Sequence, residues 1–184
     1  LAPAPGETVL DACSSPGGKT TYLAALMNDK GRIDAWDIHE HRVKLVRDTA
    51  QKLGISIIQT ECRDATIPVP MLNKKYDKIL LDVPCTGMGV IRKKPDIKWT
   101  RKPEDIDELS TIQEEILNQC SEYLKNGGKL VYSTCTIFQR ENHLQIEKFL
   151  ESHSDFRLIE ETKLYPNVDD TDGFYIAVLE RCAP

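Results

Sequence analysis

The sequence predicts an α/β fold, in which a mostly parallel, seven-stranded sheet carries helices on both faces. Short apolar runs alternate with longer segments whose apolar residues recur at helical spacing, and this alternation is typical of parallel strands joined by helices. Three of the runs end directly in an acid, at Asp11, Asp37 and Asp82. Ligands of such sheets bind beyond the carboxyl ends of the strands, so we expect a site there.

The individual elements follow from periodicity and from stop signals. Strands are expected at residues 8–10, 31–37, 56–61, 78–81, 129–133, 156–160 and 174–180. Helices are expected at residues 18–28, 39–53, 103–124 and 141–151. In the second helix Val43, Val46 and Ala50 share one face, and Gly54 ends it. Residues 83–103 are expected to form a loop, which is too long to be a plain connection.

Length and composition favour one globular domain, spanning residues 1–184. No apolar run approaches the ~20 residues that cross a bilayer, and no signal-peptide pattern opens the chain. We therefore expect a cytoplasmic protein without a membrane partner. The chain opens on Leu1-Ala-Pro-Ala-Pro-Gly6, which we interpret as the start of a fragment, cut from a longer protein just before its first strand.

Six cysteines stand at positions 13, 62, 85, 120, 135 and 182. No two of them have the C-x-x-C spacing of a zinc site, so no metal is expected. Nothing else marks the chain as secreted, and we expect reduced thiols that are available for chemistry. The net charge of −5 argues mildly against nucleic-acid binding, because proteins that bind nucleic acids usually carry a basic surface.

A segment with two glycines links the first strand to the first helix. It runs from Asp11 to Thr20 with the sequence DACSSPGGKT. Gly17 and Gly18 allow a ligand to approach the backbone closely, and the start of the helix offers free N–H groups. A phosphate-binding P-loop needs glycine where Cys13 stands, and the dinucleotide pattern G-x-G-x-x-G is also missing.

Acids at the next strand ends narrow the choice of cofactor. Asp37 lies 19 residues beyond Gly18, where an acid suits a ribose diol. Asp64 follows the third strand and is placed to meet the adenine or its surroundings. This set describes a nucleoside cofactor without a phosphate chain, and S-adenosylmethionine fits it. The alternative is that these glycines and acids only form turns and helix caps.

Two cysteines follow the fourth and fifth strands in polar turns, namely Cys85 in DVPCTGMG and Cys135 in YSTCT. Buried structural cysteines are the commoner case, but strand interiors supply those. A thiolate that adds to carbon 6 of cytosine makes carbon 5 nucleophilic enough to take a methyl group. Asp82 is placed to stabilise the adduct by donating a proton to ring N3. This chemistry gives a use for both thiols and does not rank them.

Five segments carry a resemblance to a known family: DACSSPGGKT (11–20), DVPCTGMGV (82–90), PDIKW (95–99), YSTCT (132–136) and TDGFY (171–175). The chain resembles the Sun family, the ribosomal RNA small-subunit methyltransferase B enzymes, and their NOP2/Sun relatives, which are RNA 5-methylcytosine methyltransferases. The resemblance runs from residue 5 to residue 181. It implies a Rossmann-like class I S-adenosylmethionine-dependent methyltransferase fold. It also implies RNA, namely 16S ribosomal RNA, as the partner, with no obligate protein partner.

The resemblance also assigns roles to single residues. It implies that Cys135 is the nucleophile and that Cys85 assists product release. The residues implied to bind S-adenosylmethionine or to line its pocket are Cys13, Ser14, Ser15, Pro16, Gly17, Gly18, Lys19, Asp37, Asp64 and Asp82. Two segments depart from the family: Arg140-Glu-Asn-His143 stands where relatives carry Glu-Asn-Glu, and Arg92-Lys-Lys94 where many carry Arg-Arg-His. The RNA-binding portions of the family lie upstream of the matched segment.

A cluster of basic residues surrounds Trp99. The six are Arg92, Lys93, Lys94, Lys98, Arg101 and Lys102, against the single acid Asp96. We expect the first four to meet RNA phosphates and Trp99 to stack on a base. The alternative is a solvated loop in which Trp99 packs on the domain.

Other functions fit the residues less well. A P-loop hydrolase is disfavoured by Cys13 and by the lack of a second magnesium motif. A non-catalytic cofactor-binding module has no need of two thiols beside Asp82. An N-methylating enzyme carries Asn/Asp-Pro-Pro-Tyr or Phe, where this chain has Asp82-Val-Pro-Cys85. A DNA-type cytosine methyltransferase places the nucleophile in its Pro-Cys motif, which here contains Cys85.

Overall fold

The computed structural model describes residues 1–182, so the last two residues of the predicted 1–184 domain, Ala183 and Pro184, lie outside the described residues. The strands are β1 (Thr8–Asp11), β2 (Arg32–Asp37), β3 (Ile58–Cys62), β4 (Tyr76–Asp82), β5 (Leu124–Thr134), β6 (Phe156–Leu164) and β7 (Phe174–Arg181). The helices are α1 (Gly18–Leu26), α2 (Glu40–Lys52), α3 (Ile97–Thr100), α4 (Glu104–Ser121) and α5 (His143–Ser152). Short 3-10 helices span Pro70–Leu72, Met88–Val90 and Gln139–Glu141.

All seven strands form one sheet in the order β3-β2-β1-β4-β5-β7-β6. The first five strands pair in parallel, whereas β7 is antiparallel to both β5 and β6. The predicted α/β fold with a mostly parallel, seven-stranded sheet is therefore confirmed. The predicted segments all exist, and most of the differences lie at their ends.

Helices cover both faces of the sheet, because successive side chains of a strand point to opposite sides. In β4, Leu80 belongs to a buried cluster with Met27, which follows α1. Its neighbours Ile79 and Leu81 belong to a larger cluster that includes Leu117 of α4. Within residues 1–182, no helix combines the length and the apolar character needed to cross a membrane.

The predicted helix 103–124 ends earlier than expected, at Ser121, and β5 begins at Leu124. Leu124 is fully buried and pairs with Tyr76 at the start of β4. Asn126, Gly127 and Gly128 form an irregularity within β5, where the register against β4 shifts. A Cβ on Gly128 would lie 2.9 Å from the Asp77 carbonyl oxygen. Sheet pairing here overrides the helical pattern of the sequence, and glycine permits the close approach.

The segment expected as a loop at 83–103 contains structure of its own. It holds the 3-10 turn Met88–Val90 and the helix α3. The amide N–H of Thr100 donates to the Asp96 carbonyl, and that of Lys94 donates to the Val90 carbonyl. These elements are shorter than the window over which helical spacing can be recognised, so no periodicity in the sequence predicts them.

The parallel register brings the carboxyl ends of the strands to one edge of the sheet. Asp11 of β1 pairs with Ala35, and Asp82 of β4 pairs with Ser133 of β5. Asp37 is the last residue of β2. The polar motifs that follow these strands therefore share one edge, as the sequence predicted.

Candidate active site

The segment between β1 and α1 is held against β2 by hydrogen bonds. Both the backbone N–H and the hydroxyl of Ser14 donate to the Trp36 carbonyl oxygen, at 2.8 and 2.9 Å. The N–H of Gly17 donates to the Ser14 carbonyl at 2.8 Å. These bonds fix the path of residues 12–17 over the carboxyl edge of the sheet.

The two glycines of this segment do different things. Gly17 has a φ of +105°, and a Cβ added there would lie 3.2 Å from the Val46 Cα. It therefore allows α1 and α2 to pack closely. A Cβ on Gly18 would have no atom within 4 Å, so Gly18 leaves open space at the first residue of α1. That helix begins without a side-chain cap or an acid in its first turn.

Asp11, the last residue of β1, carries a buried carboxyl group. One oxygen, Oδ2, accepts a hydrogen bond from the Thr20 hydroxyl at 2.7 Å. The other, Oδ1, is buried without a partner among the described residues. Burial raises the pKa of Asp11 to about 7, against the opposing effect of the Thr20 hydrogen bond.

The next two predicted cofactor acids are partly used by the protein itself. Asp37 is buried, and its Oδ1 accepts a hydrogen bond from the His39 N–H at 3.0 Å. Asp64 lies just beyond β3 and accepts hydrogen bonds from both the N–H and the hydroxyl of Thr66, at 2.9 and 2.7 Å. The carboxylate of Asp64 therefore shapes its own turn, and Asp37 caps the turn that enters α2.

Asp82 and Lys19 form a pair that joins two sequence motifs. The Lys19 ammonium donates to Oδ2 of Asp82 at 2.7 Å, and the Ser133 hydroxyl donates to Oδ1 at 2.8 Å. Lys19 also lies 5.5 Å from the centroid of the Phe174 ring. The resemblance implied cofactor contact for Lys19; in the structure its ammonium pairs with Asp82, the acid that ends β4.

The two cysteines of the strand-end turns meet. The Cys85 Sγ and the Cys135 Sγ lie 3.3 Å apart, within hydrogen-bonding distance of sulfur, and both side chains are half-buried. The hydrogen bond from Cys85 lowers the pKa of Cys135 to about 7, although burial opposes this effect. The same bond and burial raise the pKa of Cys85 above its ordinary value. Cys135 is therefore the thiol that ionises first.

Two glycines bring three motifs together through the backbone. The Gly89 N–H donates to the Cys135 carbonyl at 2.9 Å, and the Gly173 N–H donates to the Gly89 carbonyl at 2.8 Å. A Cβ on Gly89 would lie 2.1 Å from the Gly173 carbonyl oxygen and 2.8 Å from that of Cys135. The segments DVPCTGMGV, YSTCT and TDGFY thus converge at a place with no room for a side chain.

Glu141, for which the sequence indicated no role, is buried and contacts the turn that carries Cys85. It accepts hydrogen bonds from the N–H and the hydroxyl of Thr86 at 2.8 and 2.6 Å, and from the Gln113 amide at 3.0 Å. The Thr86 and Thr136 hydroxyls are 2.9 Å apart. The sequence signal near Glu141 is the segment at 140–143, which departs from the family pattern and does not single out Glu141.

The basic cluster divides into paired and unpaired cations. Lys93 forms an ion pair with Asp172 at 2.6 Å, and Arg92 lies 3.7 Å from Asp170. Arg101 donates to the Thr86 carbonyl at 3.1 Å, which fixes the turn after Cys85. These three cations therefore already have partners on the protein.

Trp99 and the remaining lysines face solvent. Trp99 is 80% exposed, so it does not pack on the domain, and the Lys98 ammonium lies 5.4 Å from its ring centroid. Lys94 and Lys98 are also exposed, and no carboxylate lies within ion-pair distance of either among the described residues. Across residues 1–182, no group of three or more His, Cys, Asp or Glu side chains is arranged to hold a metal ion.

Comparison with known proteins assigns the chain to a family. The model of the family described as 16S rRNA methyltransferase RsmB/F matches residues 1–180. The chain belongs to this family. The resemblance found in the sequence is thereby confirmed, and the chain is an RsmB/F-family chain over almost its whole length.

Curated relatives carry the same family name. The probable ribosomal RNA small subunit methyltransferase B of Bacillus subtilis is 42% identical over 199 residues, covering 98% of this chain and 44% of the relative. The ribosomal RNA small subunit methyltransferase B of Vibrio cholerae is 42% identical over 188 residues, covering 98% of this chain and 43% of the relative. The chain thus spans less than half the length of these relatives.

A solved structure supports the same conclusion for the fold. NSun6 from Pyrococcus horikoshii, crystallised with SFG, an S-adenosylmethionine analogue, superposes with a TM-score of 0.89 at 31% identity. The match covers 99% of this chain and 50% of that one. The RsmB/F-family chain therefore has the predicted Rossmann-like S-adenosylmethionine-dependent methyltransferase fold.

The convergence of the three motifs at Gly89 can be tested by adding one carbon. We expect Gly89→Ala to lower the free energy of unfolding by about 1–3 kcal/mol, because the new Cβ must displace backbone oxygens. Gly18→Ala is the matched control, since its Cβ meets no atom, and it should change stability little. Urea unfolding of both variants gives the comparison. Equal stabilities would show that the close approach at Gly89 does not constrain the site.

Proposed function

We propose that this chain is the catalytic domain of an RNA (cytosine-5-)-methyltransferase, which transfers a methyl group from S-adenosylmethionine to carbon 5 of a cytosine in 16S ribosomal RNA. The observation that carries the proposal is the pair of thiols 3.3 Å apart at the ends of two parallel strands. Membership of the RsmB/F family and the names of the relatives support the ribosomal substrate. The target cytosine is left open.

Cys135 is the nucleophile in this proposal, because its thiol ionises first. Its pKa of about 7 makes the thiolate abundant at neutral pH. The thiolate sulfur forms a bond to carbon 6 of the cytosine. The electrons of the C5–C6 double bond then move into the ring, and carbon 5 becomes able to attack an electrophilic carbon.

Cys85 assists the reverse step. Its raised pKa keeps it as a neutral thiol, and in this proposal its S–H donates to the Cys135 sulfur 3.3 Å away. After methylation, solvent water takes the proton from carbon 5. The electron pair of that C–H bond re-forms the C5–C6 double bond, and the bond between carbon 6 and sulfur breaks. The electron pair of that bond returns to Cys135, and the Cys85 hydrogen bond stabilises the departing thiolate.

Asp82 is assigned to the pyrimidine ring and stands where Lys19 and Ser133 already donate to it. Both of its oxygens accept hydrogen bonds, so proton donation to ring N3 requires Lys19 or Ser133 to move or to pass on a proton. Lys19 thereby becomes part of the proposed proton path, in addition to its implied contact with the cofactor.

The residues at the first strand ends fit S-adenosylmethionine. Gly18 leaves the start of α1 open, and Asp11 has a buried Oδ1 without a partner among residues 1–182. Asp37 would hold the ribose hydroxyls, and Asp64 would lie near the adenine. When bound, S-adenosylmethionine supplies an electrophilic methyl group on its sulfonium sulfur. Residues 13–17 would then line its pocket.

RNA is proposed to meet the exposed part of the basic cluster. Lys94 and Lys98 are available to phosphates, and Trp99 presents a free face on which a base can stack. Arg92 and Lys93 can take part only by exchanging their acidic partners for phosphates. The rival arrangement, in which Cys85 is the nucleophile as in DNA-type enzymes, is disfavoured by the raised pKa of Cys85.

The roles of the two thiols are separated by trapping the adduct. In the full-length protein, Cys85→Ala should still bond to RNA and methylate it once, but should release product slowly. A denaturing gel should then show a slow-migrating protein–RNA band. Cys135→Ala should give neither the band nor methylated RNA. A band with Cys135→Ala instead would make Cys85 the nucleophile.

Binding of the cofactor is tested with the chain alone. Asp37→Ala should weaken S-adenosylmethionine binding roughly tenfold or more, because hydrogen bonds to a charged group are worth ~1.5–3 kcal/mol. Glu151→Ala, an exposed carboxylate on α5, should leave the affinity unchanged. Isothermal titration calorimetry gives both values. Binding of ATP without binding of S-adenosylmethionine would overturn the cofactor assignment.

RNA contact by the basic cluster is tested through salt dependence. In the full-length protein, the double change Lys94→Gln and Lys98→Gln should weaken RNA binding and reduce the salt slope by about 0.7–0.9 per lost phosphate contact. Cofactor affinity should barely change. The matched control changes Lys30 and Lys52 to Gln, since both are exposed and lie away from the candidate site. An unchanged salt slope would show that these two lysines are solvated and do not contact RNA phosphates.

A further inference from the structure

We propose that Glu141 is a positioning residue, which holds the Cys85 turn against the Cys135 turn and thereby maintains the hydrogen bond between the two thiols. The part of this inference that concerns methylation rests on the function proposed above. The part that concerns the thiols does not, because it follows from contacts within the chain.

The Glu141 carboxylate is an acceptor for three convergent donors. Its Oε1 accepts from the Thr86 N–H at 2.8 Å and from the Gln113 amide at 3.0 Å, and its Oε2 accepts from the Thr86 hydroxyl at 2.6 Å. The Gln113 amide also donates to the Pro84 carbonyl at 2.9 Å. Glu141 therefore holds Thr86 directly and Pro84 through Gln113, so the residues on both sides of Cys85 are fixed.

The same carboxylate reaches the Cys135 turn through one hydroxyl. The Thr86 and Thr136 hydroxyls are hydrogen-bonded at 2.9 Å, and each threonine directly follows one of the two thiols. The neighbouring Asn142 holds the Cys135 turn from its other side, since its amide donates to the Thr136 carbonyl at 3.0 Å. The adjacent residues Glu141 and Asn142 thus hold the Cys85 turn and the Cys135 turn, respectively.

A carboxylate suits this place for a physical reason. Glu141 is fully buried, and no ion pair involves it within the described residues. A buried charge without a cation is tolerated when hydrogen bonds surround it. An ionised carboxylate is acceptor-only, so it can receive all three donors together. A glutamine can keep the contacts only if the Thr86 hydroxyl turns to donate to Thr136.

The thiol pair depends on this arrangement because a sulfur hydrogen bond requires contact. The two sulfurs are 3.3 Å apart, and the hydrogen bond with Cys85 is the largest influence that lowers the pKa of Cys135. If the Cys85 turn moves away, that stabilisation is lost. Burial and the nearby charge of Asp82 then raise the pKa of Cys135, against the smaller opposing effect of Lys94. The thiolate is the form present above the pKa, so the reactive fraction at pH 7 falls.

The test measures the pH dependence of Cys135 alkylation in this chain, using iodoacetamide with site-resolved mass spectrometry. The wild-type midpoint should lie near pH 7, where the pKa of Cys135 places it. In Glu141→Ala the midpoint should rise toward the ordinary thiol value of ~8.5, so that the thiolate fraction at pH 7 falls roughly tenfold or more. Cys85→Ala should give a similar upward shift, because it removes the donor itself.

A double variant separates positioning from general loosening. If Glu141 acts through the Cys85 S–H, then Glu141→Ala should add no further shift in the Cys85→Ala background. Glu141→Gln should restore most of the wild-type midpoint, and Glu147→Ala, an exposed carboxylate on α5, should leave it unchanged. Should Glu141→Ala fail to fold, Thr136→Val removes the hydroxyl link with little change of shape, and its midpoint should rise.

An unchanged midpoint in folded Glu141→Ala or in Thr136→Val would overturn the proposal, and so would full additivity with Cys85→Ala. Alkylation of Cys135 needs neither RNA nor cofactor. A shifted alkylation midpoint without any protein–RNA adduct would therefore contradict the proposed methyltransferase function but not the positioning role of Glu141. In the full-length protein, Glu141→Ala should lower kcat at pH 7 roughly tenfold while KM for RNA stays constant. A rise of KM with constant kcat would count against positioning.

Discussion

A hydrogen bond between two sulfur atoms gives the two cysteines of this site different chemistry. Cys85 and Cys135 have the same side chain and similar exposure, and each follows a parallel strand in a polar turn. The bond lowers the pKa of the acceptor and raises that of the donor. In the proposed mechanism, Cys135 is therefore the nucleophile and Cys85 is the hydrogen-bond donor that supports it. This asymmetry requires the two sulfurs to stay in contact, and much of the surrounding structure serves that requirement.

The sheet places the two cysteines approximately, and contacts between the turns place them more closely. Parallel pairing of β4 with β5 puts Asp82 beside Ser133, so the two following turns begin side by side. That register alone leaves the turns free to diverge. Two contacts restrict the turns further: the hydrogen bond from the Gly89 N–H to the Cys135 carbonyl, and the hydrogen bonds that the buried Glu141 carboxylate accepts from Thr86. An enzyme that must hold reacting atoms to within fractions of an ångström needs such supporting contacts.

The elements of the fold were predictable from the sequence because their signals are local. Apolar runs, helical spacing and acids at strand ends depend on neighbours along the chain, and they located every strand of the sheet. The end of α4 was misplaced because Leu124 fits a helix by spacing but is held by Tyr76 of β4, a partner 48 residues away. The short helix α3 was not predicted because its four residues are too few to show a helical repeat of apolar residues.

The site was predictable only in part, for a related reason. Residues with distinctive chemistry, such as Cys85, Cys135 and Asp82, could be recognised in their motifs. Glu141 could not, because a glutamate near the start of an expected helix is ordinarily a solvated residue at the helix N-terminus. Its importance comes from donors 28 and 55 residues away, on Gln113 and Thr86. Supporting contacts of this kind join elements that are distant in sequence, so they become visible only once the strands have been placed side by side.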